Sequence, residues 1–321
     1  MWVVMSRLEQ VFVSVLDQCA DLKREDVLIV TDAKYDKTMV EALAAATRRF
    51  GARSIVLTID RHIVSAERVP RFLLAPMESA NLVLLCASFL VPQHVREAAV
   101  RAGARLISIS SVDRNIARRC FDINYGELSK MTRMLAERYE SAREVNLETN
   151  SGTELSVKLC RRKAAYLDGI ARTAGKLGVL PAGVVAVAPL EGTAEGTIVI
   201  DGSIAEIGIV KSPIRCVVEN GMIVDIKGGK EARKFEALLS RDSSTGFCVA
   251  EVGGGTNPKA RYCGNLLEDE RVYASGHVGF GRNSHIGGAI RSKIHIDSTM
   301  KRPKIRIDGK EVVSSGRIRL E

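Results

Sequence analysis

The rhythm of hydrophobic and polar positions changes once along the chain, near residue 143. Before that point short apolar runs alternate with helical periods. Asp26-Val27-Leu28-Ile29-Val30-Thr31-Asp32 holds a continuous apolar run of the kind buried on both faces of a sheet. Residues 53–59, 81–88 and 105–110 repeat the pattern. Between them, 38–50 and 92–102 carry helical spacing and stop at Gly51 and Gly103, residues that accept the left-handed turn beyond a helix end. A first helix is expected over 6–19 and a connecting helix over 127–141. Strands alternating with helices predict parallel βαβ units.

From residue 144 the texture becomes strands joined by tight turns. Residues 145–149 and 153–159 flank Asn150-Ser151-Gly152, a hairpin signal. Further strands are expected at 184–188, 196–201, 204–210, 214–218, 222–227 and 247–252, with an amphipathic helix at 231–240. The chain therefore reads as α/β: a Rossmann-like parallel-sheet domain over 1–143, then an α+β, strand-rich, metal-binding catalytic domain over 144–321. The first strand is followed by Thr31-Asp32-Ala33-Lys34-Tyr35-Asp36 and not by Gly-x-Gly-x-x-Gly, so no nucleotide site is expected. Asp32 and Asp36 are expected to cap the next helix or to line a cleft.

Composition narrows the class of partner. The net charge of +9 over 321 residues is modest, and no basic block exceeds Arg161-Arg162-Lys163, so nucleic acid is not the expected partner. Seven scattered cysteines without Cys-x-x-Cys suit reduced thiols in a cytoplasmic protein. No apolar run reaches membrane-spanning length, so no membrane partner is expected. A small-molecule or short-peptide substrate is the expectation. A strand-rich second half leaves edges to cover, which points to a homo-oligomer.

Candidate chemistry gathers between Ala250 and Met300. Lys293-Ile294-His295-Ile296-Asp297-Ser298 alternates polar and apolar, so His295 and Asp297 share one face of a strand. An imidazole beside a carboxylate begins a site for zinc, cobalt, manganese or iron(II). Upstream, His277 sits between glycines, and Glu251 ends an apolar run before Gly253-Gly254-Gly255, read as a glycine loop. Glu251, His277, His295 and Asp297 form the candidate metal set. A single His-x-Asp is more simply a surface pair; its convergence with two further groups beside glycines favours a site. Lys293 shares the strand face, and Arg282 and Asn283 follow His277; these three are candidate substrate contacts. His285 is an alternate ligand or, more simply, a solvated loop histidine.

The order of these features resembles the thermophilic-type metallo-aminopeptidases, the aminopeptidase T and PepS family, over most of the chain. The likeness rests on Ser151-Gly152-Thr153-Glu154-Leu155, Leu180-Pro181-Ala182-Gly183 before an apolar run ending Ala188-Pro189, Glu195-Gly196-Thr197, Glu251, His277 and His295-x-Asp297. It implies a two-metal hydrolase in which metal-bound hydroxide attacks a peptide or amide carbonyl, with one or two zinc, cobalt or manganese ions. The sequence departs from that pattern at Val184, where the family has a glutamate, and after His277, where a family tyrosine is missing. Glu191 and Glu195 are the candidates for the missing ligand or for the catalytic base. The same superfamily includes enzymes resembling 2,5-dihydroxypyridine 5,6-dioxygenase. That resemblance implies the alternative: one iron(II) held by two histidines and a carboxylate, a composition that His277, His295 and Asp297 have, cleaving a dihydroxypyridine-like ring. A non-catalytic homologue is the third reading.

Overall fold

The structure, a computed structural model, describes residues 5–65, 70–89 and 91–320. It resolves into two compact units, Met1–Ser129 with Leu167–Ala182, and Lys130–Tyr166 with Gly183–Glu321. The expected connecting helix, Tyr125–Ser141, thus falls mostly in the second unit, and a segment from beyond residue 143 returns to the first.

The first unit is a five-stranded parallel sheet in the order Arg53–Thr58, Asp26–Thr31, Leu82–Cys86, Arg105–Ser108, Leu177–Val179. This is the flavodoxin-like variant of a doubly wound sheet. The continuous apolar runs are explained by burial: Val27–Val30 and Leu82–Leu85 are almost wholly enclosed. The fifth strand is only three residues long, too short for its pattern to stand out from a turn. The helices Arg71–Ser79 and Arg114–Cys120 add to those expected from spacing. Asp36 caps the helix Lys37–Arg49 by accepting from the Thr38 amide.

Strand order reverses between Asp26–Thr31 and Leu82–Cys86, the point where such folds usually take a ligand. Here Asp32 occupies that point. Its Oδ2 accepts from the Ser88 amide at 2.6 Å and its Oδ1 from the Lys34 amide at 2.9 Å. Burial works against the charge, and the amide donors outweigh it, holding the carboxyl below its ordinary value. Asp32 is a tie between two strands.

The second unit pairs two sheets. One is eight-stranded and antiparallel, with Ile214–Glu219, Glu195–Ile200, Glu154–Lys158, Glu144–Glu148 and Lys304–Ile307 near its middle. The other is seven-stranded and centred on Val184–Val187, Val249–Gly255, Gly276–Gly281 and His295–Met300. One core joins them: Leu147, Leu155, Ile198 and Cys216 from the first sheet pack with Val185, Val252, Val278, Phe280 and Ile296 from the second. Among the described residues no helix is long and apolar enough to cross a membrane.

Residues alternate across the seven-stranded sheet as the period of two requires. Val252, Val278, Phe280, Ile296 and Met300 face the core. Glu251, His277, His295 and Asp297 therefore share the opposite face. The expected glycine loop after Glu251 is instead strand: Gly253, Gly254 and Gly255 pair with Ala186, Val185 and Val184. A Cβ at Gly253 would stand 2.0 Å from the Val185 carbonyl and 2.4 Å from His277 Cε1. The glycines are there because neighbouring strands and the imidazole leave no room.

Candidate metal centre

Strand register assembles the cluster. Glu251 lies opposite Gly279, Gly279 opposite Asp297, and Gly281 opposite His295. Glycine at 279 leaves a gap between two acidic residues, and the side chains of Glu251, His295 and Asp297 fill it. A Cβ at Gly279 would meet Asp297 Oδ1 at 2.3 Å and Glu251 Cβ at 2.9 Å. A register shift between Val249 and Glu251 marks a bulge beside the site, a feature that re-aims side chains.

Glu251 is the hub, its side chain only 9 % exposed. Its Oε1 lies 3.1 Å from His277 Nε2, while its Oε2 lies 3.5 Å from His295 Nε2 and 3.9 Å from His285 Nε2. His295 Nδ1 is 2.7 Å from the Arg282 carbonyl, an acceptor only, so Nδ1 carries the hydrogen. The metal-ligating nitrogen, Nε2, is thereby turned inward, the arrangement that fixes a ligand imidazole. Asp297 Oδ2 lies 3.1 Å from that same Nε2. His285 meets His295 edge-on, with ring centroids 4.6 Å apart at 83°.

The carboxylates set the basicity of the imidazoles around them. Burial opposes a charge on His295, but the charge and hydrogen bond of Asp297, with Glu251 behind them, carry it up to about 10. His277 is raised in the same way: burial opposes, and its bond to Glu251 prevails. Burial and the charge on His295 push His285 down, leaving a neutral imidazole with a lone pair to offer. Burial, then the charge of Asp297, pushes the Glu270 carboxyl up.

The donor set fits one divalent cation. Glu251, His285 and His295 each offer a ligand atom, all within 4.8 Å of one another. Asp297 Oδ1, buried at the same place, has no donor but the Glu270 carboxyl. Protons on ligand imidazoles are what a metal displaces on binding.

The sequence-expected residues divide accordingly. Glu251, His295 and Asp297 come together. His277 adjoins them from behind the carboxylate: its Nε2 bonds Glu251 Oε1, which leaves Oε2 facing His285 and His295. His285 enters from a short 3₁₀ turn, Ser284–Ile286, as an exposed residue whose Nε2 lies 3.9 Å from Glu251 Oε2. Neither candidate catalytic glutamate joins the cluster. Glu191 is bound by Arg162, and Glu195 accepts from the Asn220 amide at 2.8 Å in the eight-stranded sheet. Position 184, where the aminopeptidase pattern has a glutamate, is a buried valine paired with Gly255. Asn283 is fully buried and shapes the His285 loop, while Arg282 is exposed and lends its carbonyl to His295. Lys293 precedes the strand, its amide donating to Asp242 Oδ2.

The sequence reading passed over Glu270 and Arg271. Leu266-Leu267-Glu268-Asp269-Glu270-Arg271 looks like a solvated turn, yet Glu268, Asp269 and Arg271 are buried. Asp269 accepts from the Cys263 and Gly264 amides, and Arg271 pairs with Glu270 at 2.5 Å. The available signal was the Cys263-Gly264 turn, whose amides need acceptors.

Such a site, on an antiparallel sheet of a chain that also carries a doubly wound unit, defines a metal-dependent enzyme class. A family profile described as 2,5-dihydroxypyridine 5,6-dioxygenase matches residues 7–320, and the chain belongs to that family. A 2,5-dihydroxypyridine 5,6-dioxygenase of Pseudomonas putida KT2440 is 24 % identical over 192 residues, 55 % of this chain and 54 % of that protein. The match thus spans about half the length of that relative. The solved structure of 2,5-dihydroxypyridine dioxygenase from the same organism superposes with a TM-score of 0.82 at 20 % identity, covering 99 % of this chain and 98 % of that one. Wild-type AmpT from Thermus thermophilus superposes with a TM-score of 0.68 at 16 % identity, covering 97 % and 98 %. The aminopeptidase likeness is therefore one of fold, and the family favours the ring-cleaving alternative over the hydrolase.

Proposed function

We propose that the protein is a mononuclear iron(II) dioxygenase that opens the ring of a dihydroxylated nitrogen heterocycle. One observation carries the reading: Glu251, His285 and His295 converge as a two-histidine, one-carboxylate set, the donor composition of iron(II) oxygenases. A two-metal hydrolase would call for further anionic ligands, and the position that resemblance points to is Val184.

Glu251, His285 and His295 would hold the ion, with Asp297 adjoining His295. Bound iron(II) supplies open coordination positions and reducing electrons, through which dioxygen and an electron-rich ring can react. The residues of the chain do the rest. The Arg282 carbonyl keeps His295 Nε2 aimed inward, and His277 keeps Glu251 Oε2 aimed at the same point. Glu270, whose carboxyl is raised to about 7 by burial and by Asp297 against the pull of Arg271, can take up or release a proton at the edge of the site. Exchange of that proton with a ring hydroxyl is a general acid–base role suited to a raised carboxyl.

Elemental analysis of protein loaded anaerobically with iron(II) tests the reading. One iron per chain is expected; two divalent ions per chain would return the hydrolase to first place.

A further inference from the structure

The loop that carries His285 is held by a polar clamp outside the ligand cluster. From Ser284 to Ile290 no residue is buried, so apolar packing contributes little to fixing it. The loop is instead closed on Asn283. The Asn283 amide donates to the Ile290 carbonyl at 3.2 Å, its carbonyl accepts from Ile286 and Gly288, and its Oδ1 accepts from the Ile290 amide at 2.7 Å. Glycine is required at 288, where a Cβ would stand 2.0 Å from Asn283 Cγ.

Glu191 fastens this ring to the body of the unit. Its Oε1 accepts from the Ala289 amide at 2.7 Å and from Asn283 Nδ2 at 3.3 Å. Arg162 grips the same carboxylate with both nitrogens, at 2.8 and 2.5 Å, and also donates to the Pro189 carbonyl at 2.8 Å. The Arg162 hydrogen bond, ahead of opposing burial, holds the Glu191 carboxyl down to about 2, so it stays a charged acceptor. Arg162 is aimed by an unusual turn: Cys160 and Arg161 both take left-handed backbone, at φ 51° and 55°. Two non-glycine residues in that region are costly, at about 1–3 kcal/mol each, and persist where surrounding structure requires them.

The anchored loop carries one side chain able to ligate a metal, His285. We infer that Glu191 and Arg162 are positioning residues: they hold the loop so that His285 completes the metal centre. The inference rests on the ligand set proposed above, not on the dioxygenase chemistry itself.

Cobalt(II) titration of the full chain, followed by visible absorption, tests it without turnover. Glu191→Gln keeps the shape and removes the charge, and should weaken cobalt binding roughly 10- to 100-fold, the usual effect of losing an outer support. Arg162→Lys keeps a charge but loses the two-pronged grip, and should fall between that variant and the parent. His285→Ala should lose at least as much. The deciding comparison is the double variant. If Glu191 acts through His285, then His285→Ala with Glu191→Gln binds cobalt no worse than His285→Ala alone. Parental cobalt affinity in Glu191→Gln, or in His285→Ala, would overturn the inference; so would additive losses in the double variant. Circular dichroism and thermal melts identify a variant that has simply unfolded, in which case Arg162→Lys decides alone by the same readout. Cobalt behaviour as expected, in protein that takes up no dioxygen with any hydroxylated pyridine, would leave the clamp standing and remove the dioxygenase reading.

Discussion

Replacing His295 by alanine should weaken metal binding sharply and remove the proposed ring cleavage, while leaving the fold intact. His295 is the residue on which most of the cluster's contacts meet: Nε2 lies 3.1 Å from Asp297, 3.5 Å from Glu251, and its ring backs His285. Structural zinc in four-ligand peptide sites binds with about 10–16 kcal/mol, or roughly 3 kcal/mol per ligand, which sets the scale. Loss of one imidazole should therefore weaken iron(II) or cobalt(II) binding by about 10²–10³-fold. The loss shows in calorimetry: saturating metal raises the melting temperature of the parent and leaves that of the variant almost unchanged. An unaltered metal-dependent rise would show that His295 is no ligand. The strand itself should survive, because its core-facing residues Ile296, Ser298 and Met300 are untouched and buried.

Gly279→Ala should be nearly as damaging to function, for a different reason. The added Cβ would lie 2.3 Å from Asp297 Oδ1, 2.9 Å from Glu251 Cβ and 3.2 Å from His295 Cε1. Contacts so short must be relieved, and the nearest atom is the end of a side chain, not backbone. The sheet therefore holds, at a cost of about 1–3 kcal/mol for overpacking, and Asp297 and Glu251 are driven apart. Metal affinity should drop by about two orders of magnitude, comparable to removing a ligand. Gly253→Ala makes the contrast, since its nearest atom is the Val185 backbone oxygen at 2.0 Å. That substitution should damage the sheet itself. Thermal melts and metal titrations on the two variants separate the cases: Gly279→Ala folded but poor in metal, Gly253→Ala poorly folded. A folded Gly279→Ala with parental metal affinity would contradict the packing argument.

Local pattern made much of this molecule readable. The buried runs at 26–31 and 82–86, the hairpin turn at 150–152 and the alternation around His295 and Asp297 each report their own surroundings. Glycines near Glu251 and His277 mark the site in the sequence, but as a close-packed sheet. Those glycines are strand residues pressed by Val185, Ser275 and the His277 ring, not a loop open to substrate. What escaped notice depends on contacts distant in sequence. His285 is brought in by a loop pinned through Glu191, 98 residues away from its partner Ala289. Glu270 sits in an acidic run that looks solvated, yet its side chain is largely covered and paired with Arg271. Glu191 itself was read as a base or ligand because a carboxylate was wanted near that position. Its charge is committed to Arg162 and to the loop. The return of Leu177–Val179 to the first sheet was equally hidden, since three residues carry no usable period.

On the proposed function this site, loaded with one iron(II), inserts dioxygen into a dihydroxylated pyridine. The most direct test is dioxygen uptake by the iron-loaded chain with 2,5-dihydroxypyridine, coupled to mass analysis of the product formed under isotopically labelled dioxygen. One dioxygen should be consumed per ring opened, with both oxygen atoms in the product and no uptake by His295→Ala. Absence of uptake in protein shown to hold its iron, across a panel of hydroxylated pyridines, would contradict the proposed function.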